Sequence, residues 1–450
     1  MGDDRSTATR VGLSEVLSAL SHALDLTEGA PMGHTMRSCL IGMRMGREIG
    51  LGTEDLSALY YALLLKDAGC SGNASRMAAL FGSDDNEVKA RMKLVDWHQR
   101  LRLAYHTAKN VARGQSLFKR VKQFFAIART EHMTRDLITL RCERGAAIAK
   151  RLGFPAPTAR AIRSLDEHWS GLGYSEGLSG EDIPLLARIA NLSQTVEAFH
   201  AAEGVNAAMA MVRDRRESWF DPALVDVVLS WRNDHAWWNE LRRDDVTALV
   251  LAEEPADRVR FVDDDGLNEV ARAFADIIDA KSPFTFEHSR RVADYAVAMG
   301  RAQSFNEEQL RRLYRAGLLH DIGKLGVSNR ILDKPGPLDA AEREAMERHP
   351  ANSFSILERV SAFRDFAWTA ALHHEKLDGS GYPYGVTGDK LDGNARCLVV
   401  ADIYDALTTD RPYRAGMTNE AAFALIDADR GTRLCETTVD ALREVVGRNV

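Results

Sequence analysis

The feature that most constrains this 450-residue chain is that it carries one pattern twice. Gly33-His34 and Leu64-Leu65-Lys66-Asp67-Ala68-Gly69 recur as Glu287-His288 and Leu318-Leu319-His320-Asp321-Ile322-Gly323, with position 34 moving to 288 and 67 to 321, an offset of 254 in both cases. Further along, Gly171-Leu172-Gly173-Tyr174 recurs as Gly379-Ser380-Gly381-Tyr382 and Ala187-Arg188 as Ala395-Arg396, now at an offset of 208. The first copy therefore holds about 46 additional residues between Gly72 and Arg163. Solenoid repeats run to about 20–50 residues, so a period this long describes two whole domains of one architecture.

Apolar residues recur at three and four along both copies. Leu310, Leu313, Tyr314, Gly317 and Leu318 make one stripe, and Val292, Tyr295, Ala296 and Met299 another, each the buried face of a helix. Asn306-x-x-Gln309 and Asp339-x-x-Glu342 read as capping boxes that start helices, and Gly323 as the residue that ends the helix holding His320 and Asp321. Alternation with period two is scarce, so the expected fold class is all-α, with at most a few short strands. The apolar block Leu56 to Leu65 is too short to cross a bilayer and is expected as a buried helix. The acidic, Pro- and Gly-containing stretch from Glu253-Glu254-Pro255 to Asp265-Gly266 marks the boundary, giving a first domain at 1–252, a linker at 253–265 and a second domain at 266–450. Inside the insertion, Lys109 to Arg129 has six basic residues and no acidic ones, a pattern of either a solvated helix face or a surface for a partner or ligand.

Charge and cysteine usage narrow the function classes. Lysine and arginine number 58 against 65 acids, for a formal charge of −7, so nothing in the balance calls for a nucleic acid polymer or an anionic membrane. Cys39, Cys70, Cys142, Cys397 and Cys435 are odd in number and form no C-x-x-C pair, which argues against a disulfide framework and a thiolate zinc site and for the cytoplasm. The N-terminal residues lack the apolar core of a signal peptide, and no run reaches the length of a membrane span.

Of 13 histidines, the five that follow the boundary all fall in motif-like contexts: His288, His320 beside Asp321, His349, and the tandem His373-His374. Asp402 joins them from the apolar run Leu398-Val399-Val400-Ala401-Asp402-Ile403, where an unpaired carboxylate is costly and needs a metal or a cation such as Arg396. Each of these taken alone is as readily a hydrogen-bonded or surface residue. Together they offer seven nitrogen or oxygen ligands, too many for one ion, and two divalent ions can share a bridging carboxylate. A hydroxide bridging two such ions is a nucleophile at neutral pH.

The stretches Leu319-His320-Asp321-Ile322-Gly323-Lys324-Leu325-Gly326, His349-Pro350, His373-His374-Glu375-Lys376-Leu377-Asp378-Gly379-Ser380-Gly381-Tyr382-Pro383 and Ala401-Asp402-Ile403-Tyr404-Asp405-Ala406-Leu407 through Arg414 resemble the HD-GYP branch of the HD-domain phosphohydrolases, from about Leu267 to Gly431. The resemblance implies two tandem HD-like helical domains, the second an HD-GYP domain that hydrolyses cyclic di-GMP to linear pGpG, to GMP, or to both. It implies that His288, His320, Asp321, His349, His373, His374 and Asp402 hold two divalent ions, iron or manganese, with Asp321 bridging. Phe284 stands where some members place a glutamate for a third ion. Asp321 and Lys324 match the catalytic positions, Lys324, Arg411 and Arg414 the substrate-binding ones, and Gly379, Gly381, Tyr382 and Pro383 the motif loop, which in the family is linked to diguanylate cyclase partners. In the first copy Lys66 replaces His320, Leu165 and Asp166 replace the tandem histidines, and Gln194 replaces Asp402, leaving only His34 and Asp67 as ligands. That copy is expected to hold no catalytic metal and to serve as a sensory pocket or as a packing and homodimer module. Two alternatives stand beside the phosphodiesterase: a cyclic dinucleotide sensor with little turnover, and a hydrolase of another phosphoester.

Overall fold

The computed structural model describes residues 10–81, 84–95, 131–243, 245–411 and 414–448. The basic stretch Lys109 to Arg129 lies outside the described residues. The chain divides into two compact units, Met1–Val262 and Asp263–Val450. Both are helical, and among the described residues the one sheet is a two-residue antiparallel pairing of Val11–Gly12 with Phe261–Val262, inside the first unit. Residues expected as a linker are therefore partly folded into that unit: Glu253 ends a helix, Ala256–Arg258 is a 3-10 turn, and Phe261–Val262 pairs with the N-terminal strand. No helix among the described residues is long and apolar enough to cross a membrane. All five cysteines are free thiols.

The second unit shows why its sequence pattern folds as it does. Helix Glu307–Leu319 starts at a complete capping box, with the Asn306 side chain accepting from Gln309 N and the Gln309 side chain from Asn306 N. Asp339 and Glu342 do the same for helix Ala340–Glu347. Leu310, Leu313, Gly317 and Leu318 are buried, as are Val292, Ala296 and Met299 on the neighbouring helix His288–Ala302, while Tyr295 and Tyr314 sit half-buried at the margin. Each large apolar side chain so buried contributes about 1.5–3 kcal/mol. Gly317 sets the closeness of the two helices, because a Cβ there would stand 2.6 Å from Ala293 Cα. An alanine at 317 would force them apart.

Helix Glu307–Leu319 stops at His320, and the chain turns into a 3-10 segment, Ile322–Gly326. Gly323 is not the left-handed helix stop that its position suggests, since it is not among the glycines with positive φ. Its requirement is space: a Cβ would fall 2.0 Å from the His349 carbonyl oxygen. In the first unit, helix Thr53–Leu65 is buried from Ala58 to Leu65, as the apolar block predicts.

Candidate metal centre

Five segments of the second unit bring their chemistry to one point. His288 opens helix His288–Ala302, His320 and Asp321 follow helix Glu307–Leu319, and His349 opens helix His349–Leu357. His373 and His374 follow helix Arg364–Ala371, and Asp402 lies within helix Gly393–Thr408. All are buried except His374, whose side chain is 22% exposed.

The backbone aims the imidazoles. Nδ1 of His320, His349 and His373 donates to the carbonyl three residues earlier, Gly317, Met346 and Ala370, at 2.7, 2.6 and 2.7 Å. Nδ1 of His288 donates to Asp405 at 2.6 Å. Fixing the proton on Nδ1 leaves Nε2 as a bare lone pair, the form a metal takes. Asp321 stands between the rings. Its Oδ2 is 3.5 Å from His288 Nε2 and 3.4 Å from His320 Nε2, and its Oδ1 is 3.3 Å from His349 Nε2 and 3.6 Å from His373 Nε2. Asp402 Oδ1 lies 3.3 Å from His288 Nε2, and Asp402 Oδ2 lies 3.6 Å from His374 Nδ1.

Three observations test whether these residues fit metal ions. His288 Nε2, His320 Nε2 and Asp321 Oδ1 are buried without a hydrogen-bond partner. His349 Nε2 and His373 Nε2 face each other at 3.0 Å although both carry lone pairs, an arrangement that a shared cation relieves. The two Asp321 oxygens address different histidine pairs, which is the geometry of a bridging carboxylate. The buried clusters are consistent with metal binding: His288, His320 and Asp321 lie close enough to share an ion, as do His349, His373 and His374, and as do His320, His373 and Asp402. Imidazole with carboxylate suits several divalent transition metals.

Charge agrees with metal binding. Burial pushes His349 down to about 4 and also lowers His373 and His374, so these rings stay neutral at physiological pH. Burial would raise Asp321, yet the neighbouring His320 ring and the Lys324 ammonium hold it well below the ordinary carboxylate range. Burial would likewise depress His288, but the carboxylates of Asp321, Asp402 and Asp405 around it keep it well above the usual imidazole value, and metal binding there would release a proton.

A layer that the motifs did not single out supports the ligands. Asp405 accepts from His288 Nδ1 and from Arg291 Nε and Nη2 at 2.5 and 3.1 Å. Asp279 accepts from the Ser289 amide and hydroxyl, fixing the start of the helix that carries His288. The signal for both was present in the repeat, which places Glu197, Arg37 and Asp25 at the matching positions of the first copy. Arg396, considered as the partner of Asp402, instead donates to the carbonyls of Leu391 and Gly388.

The centre opens into a cleft of about 700 Å³. Lys324 lines it with Nζ 2.6 Å from Asp321 Oδ2, and Arg411 and Arg414 line it as well. The Arg414 guanidinium is occupied, donating to the carbonyls of Ala406, Leu407 and Ala415 at 2.5, 2.9 and 3.2 Å. Arg414 thereby closes the end of helix Gly393–Thr408, and Arg411 has the freer side chain. In the motif loop, Tyr382 packs its ring 4.7 Å from that of His374 and precedes Pro383 through a cis peptide bond. Gly379 needs its freedom at φ 76°, whereas Gly381 needs room, since a Cβ there would stand 2.4 Å from Glu375 Cα. The buried Glu375 carboxylate holds the loop by accepting from the amides of Tyr384, Gly385 and Val386.

The first unit keeps the outer layer and exchanges the inner one. His34 Nδ1 meets Glu197, which also accepts from Arg37 Nε at 2.6 Å, and Asp25 accepts from the Thr35 amide and hydroxyl. Glu167 accepts from the Glu176 and Gly177 amides, as Glu375 does from Tyr384 and Gly385. A Cβ on Gly69 would strike the Arg141 carbonyl as one on Gly323 would strike that of His349, so Arg141 stands at the fifth ligand position that the first copy lacks. The insertion is thereby confined to between Gly72 and Arg141. In place of metal ligands stand two internal ion pairs, Lys66 with Asp67 and Arg141 with Asp166. Lys66 Nζ also lies 3.3 Å from His34 Nε2. Glu28, Asp67 and Cys70 are close enough to form a ligand trio. Burial keeps the Cys70 thiol well above its ordinary value, however, and Glu28 is ion-paired with Lys89, Lys93 and Arg141. Beside these groups a cavity of about 120 Å³ remains, lined in part by Arg141, Asp166 and Gln194.

Comparison with known proteins agrees with both the fold and the repeat. The HD domain family model matches residues 124–224 and 272–437, one stretch in each copy. The 3'3'-cGAMP-specific phosphodiesterase 3 of Vibrio cholerae is 41% identical over 435 residues, covering 96% of this chain and 94% of that protein. The cyclic di-GMP phosphodiesterase response regulator RpfG of Xanthomonas campestris is 36% identical over 178 residues, covering 39% of this chain and 46% of its own. Among solved structures, the cyclic GMP-AMP-specific phosphodiesterase V-cGAP3 of V. cholerae superposes with a TM-score of 0.67 at 36% identity, covering 97% of this chain and 98% of that one.

Proposed function

The chain belongs to the HD-domain phosphohydrolase family, in its HD-GYP branch, and we propose that its second unit is a metal-dependent phosphodiesterase that linearises cyclic dinucleotides, with 3'3'-cyclic GMP-AMP as the preferred ring. The observation that carries the reaction class is the arrangement around Asp321, whose two oxygens face two separate histidine pairs with Nε2 lone pairs turned inward. Preference for the mixed ring over the cyclic di-GMP expected from the motifs rests on the V. cholerae relative that matches nearly the whole chain.

His288, His320, Asp321 and Asp402 would hold one ion and Asp321, His349, His373 and His374 the other. When bound, the pair supplies Lewis acidity toward a phosphate oxygen and a water made acidic enough to attack at neutral pH. Iron or manganese fits the donor set, as do other divalent transition metals. The protein supplies the rest. Lys324, freed from Asp321 once cations neutralise that carboxylate, places an ammonium where charge builds on phosphate. Arg411 offers a planar guanidinium to the second phosphate of the ring. Burial keeps the Tyr382 phenol protonated far above neutral pH, so against a phosphate oxygen it acts as a hydrogen-bond donor. Its stacking fixes the orientation of the His374 ring.

The test is turnover of 3'3'-cyclic GMP-AMP, cyclic di-GMP and cyclic di-AMP by protein purified without oxygen, with products separated by chromatography and an Asp321→Ala variant alongside. Hydrolysis that is fastest on the mixed ring and absent in the variant supports the reading. Hydrolysis retained in the variant, or none by the wild type on any ring, overturns it.

A further inference from the structure

The cleft holds a pair of groups that the phosphate chemistry does not use. Arg343 and Glu347 lie one helical turn apart at the end of helix Ala340–Glu347, just before His349, and both line the cleft. Arginine and glutamate spaced i, i+4 commonly pair with each other. Here neither side chain has a partner among the described residues. The neighbouring ion pairs, Lys334 with Glu342 and Arg348 with Glu344, draw on other groups. Pro337, Leu338 and Met346 line the cleft beside them and offer an apolar surface.

A carboxylate is an odd lining for a cleft whose substrate is anionic. Facing phosphate it repels, so Glu347 favours binding only if it accepts hydrogen bonds from donors on the substrate. The bases of a cyclic purine dinucleotide differ in that respect. Guanine presents N1–H and N2–H side by side, a matched pair for two carboxylate oxygens, and its O6 and N7 acceptors match a guanidinium. Adenine presents an acceptor, N1, beside its N6 donor, so a carboxylate meets a lone pair. Side chains one turn apart stand about 5–6 Å from each other, close enough to address two edges of a single base.

We propose that Glu347 and Arg343 read a guanine of the substrate, Glu347 through N1–H and N2–H and Arg343 through O6 and N7, with the base face against Pro337, Leu338 and Met346. The proposal rests on the phosphodiesterase reading and adds to it the residues that set base preference. It predicts a site that takes guanine-containing rings and rejects cyclic di-AMP.

The experiment measures kcat/KM on cyclic di-GMP, 3'3'-cyclic GMP-AMP and cyclic di-AMP for wild type, Glu347→Gln and Arg343→Met, together with metal content. In Glu347→Gln, whose amide both donates and accepts, the ratio of the cyclic di-GMP rate to the cyclic di-AMP rate should fall on the order of 10- to 100-fold. Arg343→Met should lower the rates on both guanine rings more than that on cyclic di-AMP, and metal content should hold in both variants. An equal fall on all three rings, an unchanged ratio, or loss of metal from Glu347→Gln would overturn the proposal, the last by making Glu347 a ligand. If the wild type hydrolyses no ring, it is the phosphodiesterase reading that fails. Base preference is then read by titrating the wild type with GMP and AMP, and equal affinity overturns it.

Discussion

At one place in two copies of the same fold, His34 and His288 meet opposite surroundings. His34 is pushed down to about 4 by burial and by the Lys66 ammonium, whereas His288 is held well above its usual value, the carboxylates around it outweighing burial. Around each ring the supporting contacts correspond: Glu197 with Arg37 in one, Asp405 with Arg291 in the other. The difference is confined to the groups that would touch a metal. An uncompensated buried charge is expensive, so a buried Asp67 or Asp166 without a metal needs another cation beside it. Lys66 and Arg141 are such cations, each paired with an acid.

The sharpest way to break this comparison is to apply one substitution to both copies. Asp321→Asn should lower turnover by at least about 1,000-fold, because it weakens both half-sites at once. Asp67→Asn in the first copy should leave turnover within about threefold. Steady-state rates on the preferred ring decide the matter, and equal losses would mean that both copies take part in the chemistry.

The supporting layer gives a smaller and more graded contrast. Asp405→Ala should weaken metal binding by about 10- to 100-fold, the usual cost of losing the partner of a ligating histidine. Glu197→Ala should leave metal affinity as it was and appear as a lowered melting temperature, since it strands His34 and Arg37. Calorimetric titration with manganese, followed by thermal unfolding, separates the two outcomes.

Lysine carries the next contrast. Lys66→Met leaves Asp67 buried beside no cation of its own and should cost about 3–5 kcal/mol of stability. Lys324→Met, at a partly exposed position, should change stability by less than about 1 kcal/mol. Its turnover should fall about 10- to 100-fold through the lost phosphate contact. Denaturant unfolding of both variants would show whether the first lysine supports the fold and the second the reaction.

The subtlest effect is in pH. An unfolded chain protonates His34 near its ordinary 6.5, but the folded first unit does so only near 4. Between those values the unfolded state binds more protons, so this group makes the unit less stable as pH falls from 6.5 toward 4. Ring resonances of His34 should stay those of a neutral imidazole down to about pH 5 and change earlier in Lys66→Met. A transition near 6.5 in the wild type would show that Lys66 exerts no such effect.

Much of this was legible in the sequence because the ligands are short-range in kind though distant along the chain. Periodicity and the capping boxes at Asn306 and Asp339 gave the helices, and the repeat gave two copies. The seven candidate ligands are weak signals one at a time and stand out through their order along the chain and the resemblance of their motifs to the HD-GYP branch. What stayed hidden was set by contacts between segments. Arg141 could not be matched to His349 until the glycine contacts aligned them, because the insertion falls directly before it. The sequence places Gly323 at a helix end, while its reason is a backbone passing within reach of a Cβ, as it is for Gly381 in the motif loop. The family resemblance marks Arg414 as a phosphate ligand, and its bonds to the carbonyls of Ala406, Leu407 and Ala415 were not readable from the sequence. Glu347 and Arg343 gave no signal, since a charged pair one turn apart on an amphipathic helix is ordinary until both are seen to line a cleft.

The central claim is that only the second copy holds metal, and the most direct test exchanges the residue that separates the two. Metal would be quantified by mass spectrometry in the full-length wild type, in His320→Lys, which carries the first copy's residue, and in Lys66→His, which carries the second's. The account predicts about two ions per chain in the wild type and in Lys66→His, and at most one in His320→Lys, with turnover lost. Two ions retained in His320→Lys, or ions gained in Lys66→His, would contradict it.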